Sequence, residues 1–297
     1  IGIEKGTVKL SCFEEADLIL VIGQNPGTNH PRMLTALAAC KENGGSVVSI
    51  NPLEETAMKR FKHPQNPLHL IGRGVQIADE HLPVRIGGDA ALLQGFAKTI
   101  LSQGGADLDF ISANTLGFED WKKHIESTDW EKIVEQSGIS RDRIEKTGNA
   151  IAKSERMIVC WAMGLTQHEN SVAVIQEVSN LLLAGGHFGK PGAGACPVRG
   201  HSNVQGDRTV GVNHHPTEDF ISSCESETGI NMPRKKGYDV VEFIHAALQG
   251  RVRTFMALGG NLVSAMSDTE RVAEAISKID LTVQISTKLN RSHLITG

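Results

Sequence analysis

The residues best suited to chemistry lie in a glycine-rich segment, Gly185 to Gly211, which also carries the cations Lys190, Arg199 and Arg208. Glycine lets the main chain run close to a ligand that side chains would hold away, and the cations can neutralise a phosphate or an oxyanion. A loop of this length in a compact domain is usually functional or disordered, and the lack of an acidic or serine-rich tract favours an ordered loop. The segment therefore predicts a binding site for an anionic ligand.

Two side chains within this segment are candidate catalytic residues, Arg199 and His201. Both lie among glycines, where neighbouring side chains cannot easily bury or pair them. The structural alternatives are a salt bridge across the loop for Arg199 and simple exposure to solvent for His201. Ser202 does not match an acyl-transfer nucleophile, because the second glycine of a nucleophile elbow is missing.

Three predicted strands end in glycine followed by amide-bearing side chains. In open α/β sheets, ligands bind beyond the carboxyl ends of the strands, where helix N-termini present free N–H groups. A glycine after a strand can also simply permit a tight turn, but three such turns with amides favour a binding edge. The turns are Gly23-Gln24-Asn25, Gly164-Leu165-Thr166-Gln167-His168 and Gly259-Gly260-Asn261.

Apolar runs alternate with amphipathic stretches along the chain. Strands are predicted at residues 18–23, 46–50, 82–86, 157–162, 254–258 and 281–286, with helices between them. The alternation predicts an α/β fold of two three-layer, doubly wound domains with mostly parallel sheets and right-handed crossovers. We place the first domain at residues 1–125, a connection at 126–139 and the second domain at 140–297, as the later half of a larger domain.

Composition excludes several classes of partner. The net charge of -4 leaves no polybasic surface for nucleic acid or a membrane face, and no apolar run approaches the roughly 18 residues of a membrane span. The five cysteines form no C-x-x-C pair or Cys/His cluster, so we predict no protein-held metal site and a reduced, cytoplasmic protein. Because the chain opens on Ile1 and not on Met, we expect it to be part of a longer protein.

Four motifs together resemble one family. They are GLTQHENS at residues 164–171, GKPGAGACPVRGHSNVQGD at 189–207, VIGQNPGTNHP at 21–31 and RIGGD at 85–89. On these motifs the chain resembles the molybdopterin oxidoreductases, and within them the formate dehydrogenase-like alpha subunits, over essentially its whole length. The resemblance implies the fold of the formate dehydrogenase and DMSO reductase domains.

The resemblance also implies a cofactor, a molybdenum or tungsten ion held by two molybdopterin guanine dinucleotides. One dinucleotide would contact Gly23, Asn25, Asn51, Pro52 and Asp89, and the other Gly164, Thr166, Gln167, His168, Gly259, Gly260, Asn261 and Lys288. Gly189, Asn203 and Gln205 would belong to the segment that approaches the pterins.

By the same resemblance, Arg199 would lie beside the metal and orient a formate-like anion, with His201 in the place of a nearby polar residue. The cysteine or selenocysteine metal ligand and a [4Fe–4S] cluster would lie upstream of Ile1, and an electron-transfer partner would take the electrons. We therefore expect the chain alone to carry no cofactor, because part of the protein that would hold the cofactor is absent and the affinity falls accordingly. Asn51 stands where relatives often have Asp.

Other functions stay open. The chain could be a non-catalytic nucleotide-binding or regulatory relative that kept the fold without redox chemistry. An NAD-dependent dehydrogenase fits poorly, because Gly192-Ala193-Gly194 follows a helix and the second strand ends in Asn51-Pro52 without an acidic residue for the ribose. Oxyanions, aldehydes and quinone-linked donors remain alternative substrates to formate.

Overall fold

The computed structural model describes residues 5–72, 74–201 and 204–295. The chain forms two compact units, Ile1–Gln205 and Gly206–Gly297. The strands are β1 (Leu18–Ile22), β2 (Ser46–Ile50), β3 (Glu80–Leu82), β4 (Met157–Trp161), β5 (Gly194–Pro197), β6 (Thr254–Leu258) and β7 (Leu281–Ile285).

Helices separate the strands throughout. They are α1 (Cys12–Glu15), α2 (Pro26–Asn29), α3 (Met33–Glu42), α4 (Thr56–Lys59), α5 (Pro67–Ile71), α6 (Asp89–Ser102), α7 (Leu108–Asn114), α8 (Phe118–Ser127), α9 (Trp130–Ser137), α10 (Arg141–Lys153), α11 (Met163–Thr166), α12 (Ser171–Ala184), α13 (Val204–Thr209), α14 (Glu218–Thr228), α15 (Val240–Leu248), α16 (Leu262–Ala265) and α17 (Thr269–Ser277), with a 3-10 helix at Arg291–Leu294. Among the described residues, none of these helices is both long and apolar enough to cross a bilayer.

The first unit is built on a five-stranded parallel sheet of order β3-β2-β1-β4-β5. Its central strand reads LILVI and is buried along its whole length, as expected for a strand covered on both faces. The chain leaves β1 towards β2 on one side and returns to β4 on the other. The strand order therefore reverses between β1 and β4, and ligands of open α/β sheets bind at such a switch point.

Helices cover both faces of this sheet. On one face Leu20 and Val159 pack in a cluster with Phe96 of α6 and Val178 of α12. On the other face Ile19 packs in a second cluster with residues of α3. The first unit thus has the three layers predicted from the sequence.

The second unit is smaller than predicted. Its sheet consists of β6 and β7, which pair in parallel, and α15 and α17 supply Ile244 and Val272 to the cluster beside it. Two strands do not make a doubly wound sheet of their own, so the prediction of two three-layer domains holds for the first unit alone.

The two units also divide the chain at a different place from the predicted domains. Residues 126–139, predicted as a connection, lie inside the first unit, where Ile133 and Ile139 join the same core as Phe96. The physical reason is that β4 pairs directly with β1, which carries residues 140–205 into the first unit. The glycine-rich segment predicted as a loop contains β5 and the helix α13.

Candidate functional site

The carboxyl ends of the five parallel strands gather the predicted site residues of the first unit at one edge of the sheet. Gly23 follows β1, Asn51 follows β2, Gly164 follows β4, and Arg199 lies two residues after β5. Asp89 begins α6, the helix that comes after β3. These turns therefore lie at one edge of the sheet in this unit.

The turns after β1 and β4 touch each other at the switch point. The Gly164 amide donates a hydrogen bond to the Gly23 carbonyl over 3.0 Å. A Cβ on Gly23 would lie 2.8 Å from the Gly164 Cα, and a Cβ on Gly164 would lie 2.5 Å from the Gly23 Cα. Gly23 also has a φ of +58°, which glycine adopts without strain. Contact between two turns is therefore enough to require glycine at both positions.

Asn25 and Asn51 are joined by Glu55, a residue that sequence reasoning missed. The Asn25 Nδ2 donates to Glu55 Oε2 over 2.7 Å, and the Asn51 Nδ2 donates to Glu55 Oε1 over 3.2 Å. The Asn25 Oδ1 is also engaged, because it accepts from the Thr28 amide and caps α2. The carboxylate thus fixes the two predicted amides relative to each other.

Asp89 is a buried carboxyl at the N-terminus of α6, with 6% of its surface exposed. Burial raises its pKa, while its own backbone N–H and the charge of His168 act in the opposite direction. The charge interaction puts His168 near Asp89, although the resemblance assigns these two residues to different dinucleotides. Thr166 and Gln167 are exposed, and the Thr166 Oγ1 and the Gln167 Nε2 each lie 3.8 Å from the Met163 sulfur. Pro52 is also exposed.

Arg199 is exposed, and its backbone is held by His30. The His30 Nε2–H donates to the Arg199 carbonyl over 2.7 Å, because a carbonyl can only accept. In that tautomer the Nδ1 accepts from the Gln24 amide over 3.4 Å. His30 and Arg199 both line a cavity of about 690 Å³, and His201 is exposed two residues after Arg199. His30 belongs to the 21–31 motif, but its role was not visible in the sequence.

In the second unit, the predicted site residues follow the carboxyl ends of β6 and β7. Gly259 continues the pairing beyond β6, since its amide donates to the Ile285 carbonyl over 2.8 Å. No atom lies within 4 Å of the position that a Cβ would take on Gly259 or Gly260. Asn261 caps α16 and accepts from the Ser292 hydroxyl over 2.8 Å, and Lys288 is exposed after β7.

The structure groups the predicted residues differently from the resemblance. Gly164, Thr166, Gln167 and His168 lie in the first unit, on the same sheet edge as Gly23, and not in the unit that carries Gly259. Gly189, with a φ of +78°, is open around its missing Cβ. Asn203 lies outside the described residues. Gln205 is part of α13, but its side chain is not described.

The ionisable side chains do not form a metal site of their own in the part of the chain that the structure describes. No group of three or more His, Cys, Asp or Glu residues there is arranged to hold an ion. The edge of the first unit offers side-chain amides, the buried carboxyl of Asp89 and the exposed Arg199. The edge of the second unit offers Asn261, the exposed Lys288 and open backbone at Gly259 and Gly260. Each edge, taken by itself, suits a ligand with hydrogen-bonding groups and negative charge.

Comparison with known proteins adds independent findings. Residues 5–293 match the family model described as molybdopterin oxidoreductase. An uncharacterised oxidoreductase of Mycobacterium tuberculosis is 45% identical over 303 residues, which cover 100% of this chain and 39% of the relative. Formate dehydrogenase H of Escherichia coli is 26% identical, over 91% of this chain and 37% of that protein.

One solved structure supports the fold. Acetylene hydratase from Pelobacter acetylenicus aligns with a TM-score of 0.69 at 18% identity, over 98% of this chain and 41% of that chain. At this identity the likeness concerns the fold alone. The chain spans about two fifths of the length of the relatives it matches.

Proposed function

Because the chain belongs to the molybdopterin oxidoreductase family, we propose that it is the cofactor-binding part of a formate dehydrogenase-like enzyme in which Arg199 orients a small anionic substrate. The observation that carries the proposal is the position of Arg199. Arg199 is exposed, lies at the same edge of the sheet as the Gly23–Gly164 switch point, and has its backbone carbonyl held by His30.

The family implies a molybdenum or tungsten ion carried by two molybdopterin guanine dinucleotides, and the residues present fit such a ligand. The buried Asp89 carboxyl offers acceptors for the N–H donors of a guanine ring. The open backbone at Gly189, Gly259 and Gly260 leaves the space that a Cβ would fill.

The division of these residues between the two units supports the proposal that each unit contacts one dinucleotide. In our proposal the first unit contacts one dinucleotide through Gly23, Asn25, Asn51, Pro52, Asp89, Gly164, Thr166, Gln167 and His168. The second unit contacts the other through Gly259, Gly260, Asn261 and Lys288. When bound, the metal of this cofactor supplies two-electron oxidation or reduction.

The chain's own contribution is to bind and orient the substrate. A guanidinium can hold a carboxylate by two parallel N–H donors, and a hydrogen bond to a charged group contributes about 1.5–3 kcal/mol. In this proposal His201, exposed two residues after Arg199, is a second polar group beside the substrate. The [4Fe–4S] cluster, the electron-transfer partner and the cytoplasmic location stay predictions.

The test replaces Arg199 in the complete protein and measures formate-dependent reduction of a viologen dye. We expect Arg199→Ala to lower kcat/KM about 10- to 100-fold, the equivalent of the energy above, with unchanged metal and pterin content. Arg141→Ala removes an exposed arginine of α10 that pairs with Glu145; it is the matched control and should keep its activity. Unchanged turnover in Arg199→Ala would show that Arg199 has no role in the reaction.

The same preparation distinguishes the alternatives. If the complete protein contains the cofactor but does not oxidise formate, an oxyanion or an aldehyde becomes the favoured substrate. Arg199→Ala is then tested on that substrate. A complete protein that binds guanine nucleotide and never acquires metal would favour the non-catalytic relative.

A further inference from the structure

Two cysteines lie opposite each other on neighbouring strands of the five-stranded sheet. Cys160 of β4 and Cys196 of β5 are direct partners in the parallel register. Opposed residues of parallel strands point to the same face, and both cysteines belong to the core cluster on the side of α3. Neighbouring strands lie about 4.8 Å apart. This separation falls within the range of about 4.4–6.8 Å between the Cα atoms of disulfide-bonded cysteines.

The two thiols differ in their access to solvent. Cys160 is fully buried, whereas Cys196 is half-buried and lines the cavity of about 690 Å³. The walls of this cavity also carry Lys9, Arg32 and Glu14. The cavity gives a small oxidant access to the Cys196 thiol, whereas the Cys160 thiol is fully buried, and access to solvent favours reaction of a thiol.

Their ionisation differs in the same sense. Hydrogen bonding from the Cys160 thiol to the charged form of Cys196 lowers the pKa of Cys196, against the opposing effect of burial. Burial raises the pKa of Cys160 well above its ordinary value. Cys196 is therefore the thiol that is more readily present as thiolate, the nucleophilic form.

We propose that Cys196 is a peroxide-reactive thiol and that Cys160 is its resolving partner, so that the pair closes a cross-strand disulfide between β4 and β5. The Cys196 thiolate attacks hydrogen peroxide, the O–O bond breaks, and the sulfur becomes a sulfenic acid while hydroxide leaves and takes up a proton as water. The Cys160 sulfur then attacks the sulfenic sulfur. The S–S bond forms, the S–O bond breaks, and the Cys160 proton leaves with the hydroxyl as a second water. Two thiols lose two electrons and the peroxide gains them.

The disulfide would join β4 and β5 close to the proposed substrate-binding segment. Because Pro197 and Val198 connect Cys196 directly to Arg199, the oxidation state of the pair acts on the base of the proposed substrate-binding segment.

The test is carried out on the full chain, reduced and then treated with hydrogen peroxide before the remaining thiols are alkylated. Peptide mapping should show one cross-linked pair, Cys160 with Cys196, lighter by two hydrogen atoms and restored by dithiothreitol. Cys12 and Cys224, which are also half-buried, serve as internal controls and should remain alkylated. Oxidation of Cys12 or Cys224 at the same rate, or a Cys196 sulfinic acid without a link to Cys160, would overturn the proposal.

Two variants separate the roles of the thiols. Cys160→Ala should leave Cys196 as a sulfenic acid that reacts with dimedone, whereas Cys40→Ala, at a buried cysteine of the same cluster, should still form the disulfide. If Cys160→Ala does not fold, Cys196→Ser at the half-buried position replaces it. Oxidation of Cys160 in that variant as fast as in the unaltered chain would contradict the assignment of Cys196 as the attacking thiol.

Discussion

The Gly164 amide donates to the Gly23 carbonyl over 3.0 Å, and this contact joins the turns that end β1 and β4. The two glycines approach so closely that neither position has room for a Cβ. Any ligand bound at the switch point would rest on this pair of turns. The contact therefore supports both the stability of the first unit and the shape of the proposed site.

Replacement of Gly164 should destabilise the first unit. In Gly164→Ala the new Cβ meets the Gly23 backbone, and overpacking of this kind costs about 1–3 kcal/mol. Gly200→Ala is the matched control, because no atom of the described residues beyond its chain neighbours lies within 4 Å of its Cβ position, and its backbone is not left-handed. Trp121, Trp130 and Trp161 all lie in the first unit, so their fluorescence during urea unfolding gives the measurement. Equal stability of the two variants would show that the turns can move apart.

Loss of Glu55 should weaken cofactor binding. Without its carboxylate, Asn25 and Asn51 lose their shared acceptor and are free to turn away from a ligand. We expect about tenfold lower affinity in Glu55→Ala, or about 1.4 kcal/mol, followed as release of the pterin from the complete protein. Glu54→Ala is the control, since Glu54 is exposed and pairs with Lys59 over 2.6 Å. Identical release from both variants would exclude Glu55 as a positioning residue.

His30 should act on the reaction through Arg199. His30→Ala removes the donor to the Arg199 carbonyl, which frees the segment that carries the proposed substrate-binding side chain. We expect a rise of about three- to tenfold in KM with a smaller change in kcat, because loss of one net hydrogen bond costs about 0.5–1.5 kcal/mol. His30→Gln keeps an N–H donor and should recover most of the loss. A fall in kcat alone, without recovery in His30→Gln, would argue against a positioning role.

These partners explain why sequence analysis found only part of the site. The turns after β1, β4 and β6 were predicted, because glycine and amides follow apolar runs that are easily recognised. Glu55 lies 30 residues from Asn25, and His30 lies 169 residues from Arg199, so neither contact leaves a local pattern.

The strands show the same division between local and distant causes. The strands at 46–50 and 254–258 were predicted at the residues observed, because each is a continuous run with apolar or β-branched side chains. The strand β5 has no such run and forms because it pairs with β4 on one side and contacts Thr7 on the other.

Two local predictions failed for identifiable reasons. The strand predicted at 82–86 is observed at Glu80–Leu82. It ends there because the Arg85 amide donates a hydrogen bond to the Ser137 carbonyl, which lies outside the sheet. At the start of α17, Ser267 and Glu270 fit a capping box in the sequence, but in the structure the side chain of Asp268 caps this helix.

Acid should destabilise the protein through His187. Burial, with the charge of Lys190, lowers the pKa of His187 to about 4 from an ordinary value of 6.5. Below pH 6.5 the unfolded chain therefore binds a proton that the folded chain does not, and the free energy of unfolding falls until about pH 4. The full difference is about 3 kcal/mol.

The measurement compares unfolding free energies of the unaltered chain and of His187→Asn between pH 7 and pH 4, the window that the shifted pKa defines. The variant is less stable at neutral pH, but its stability should fall less steeply with acid. Parallel curves for the two proteins would mean that the pKa of His187 is the same in the folded and the unfolded chain.

The pairing of Leu18 with Met157 has a consequence for synthesis on the ribosome. The central strand is complete early, yet its partner on one side emerges only after the whole intervening chain, on the order of 10 s later at ordinary elongation rates. During that interval an apolar strand has an unsatisfied edge, and long-range pairing of this kind forms slowly. The nascent chain is thus expected to need a chaperone until β4 has left the exit tunnel.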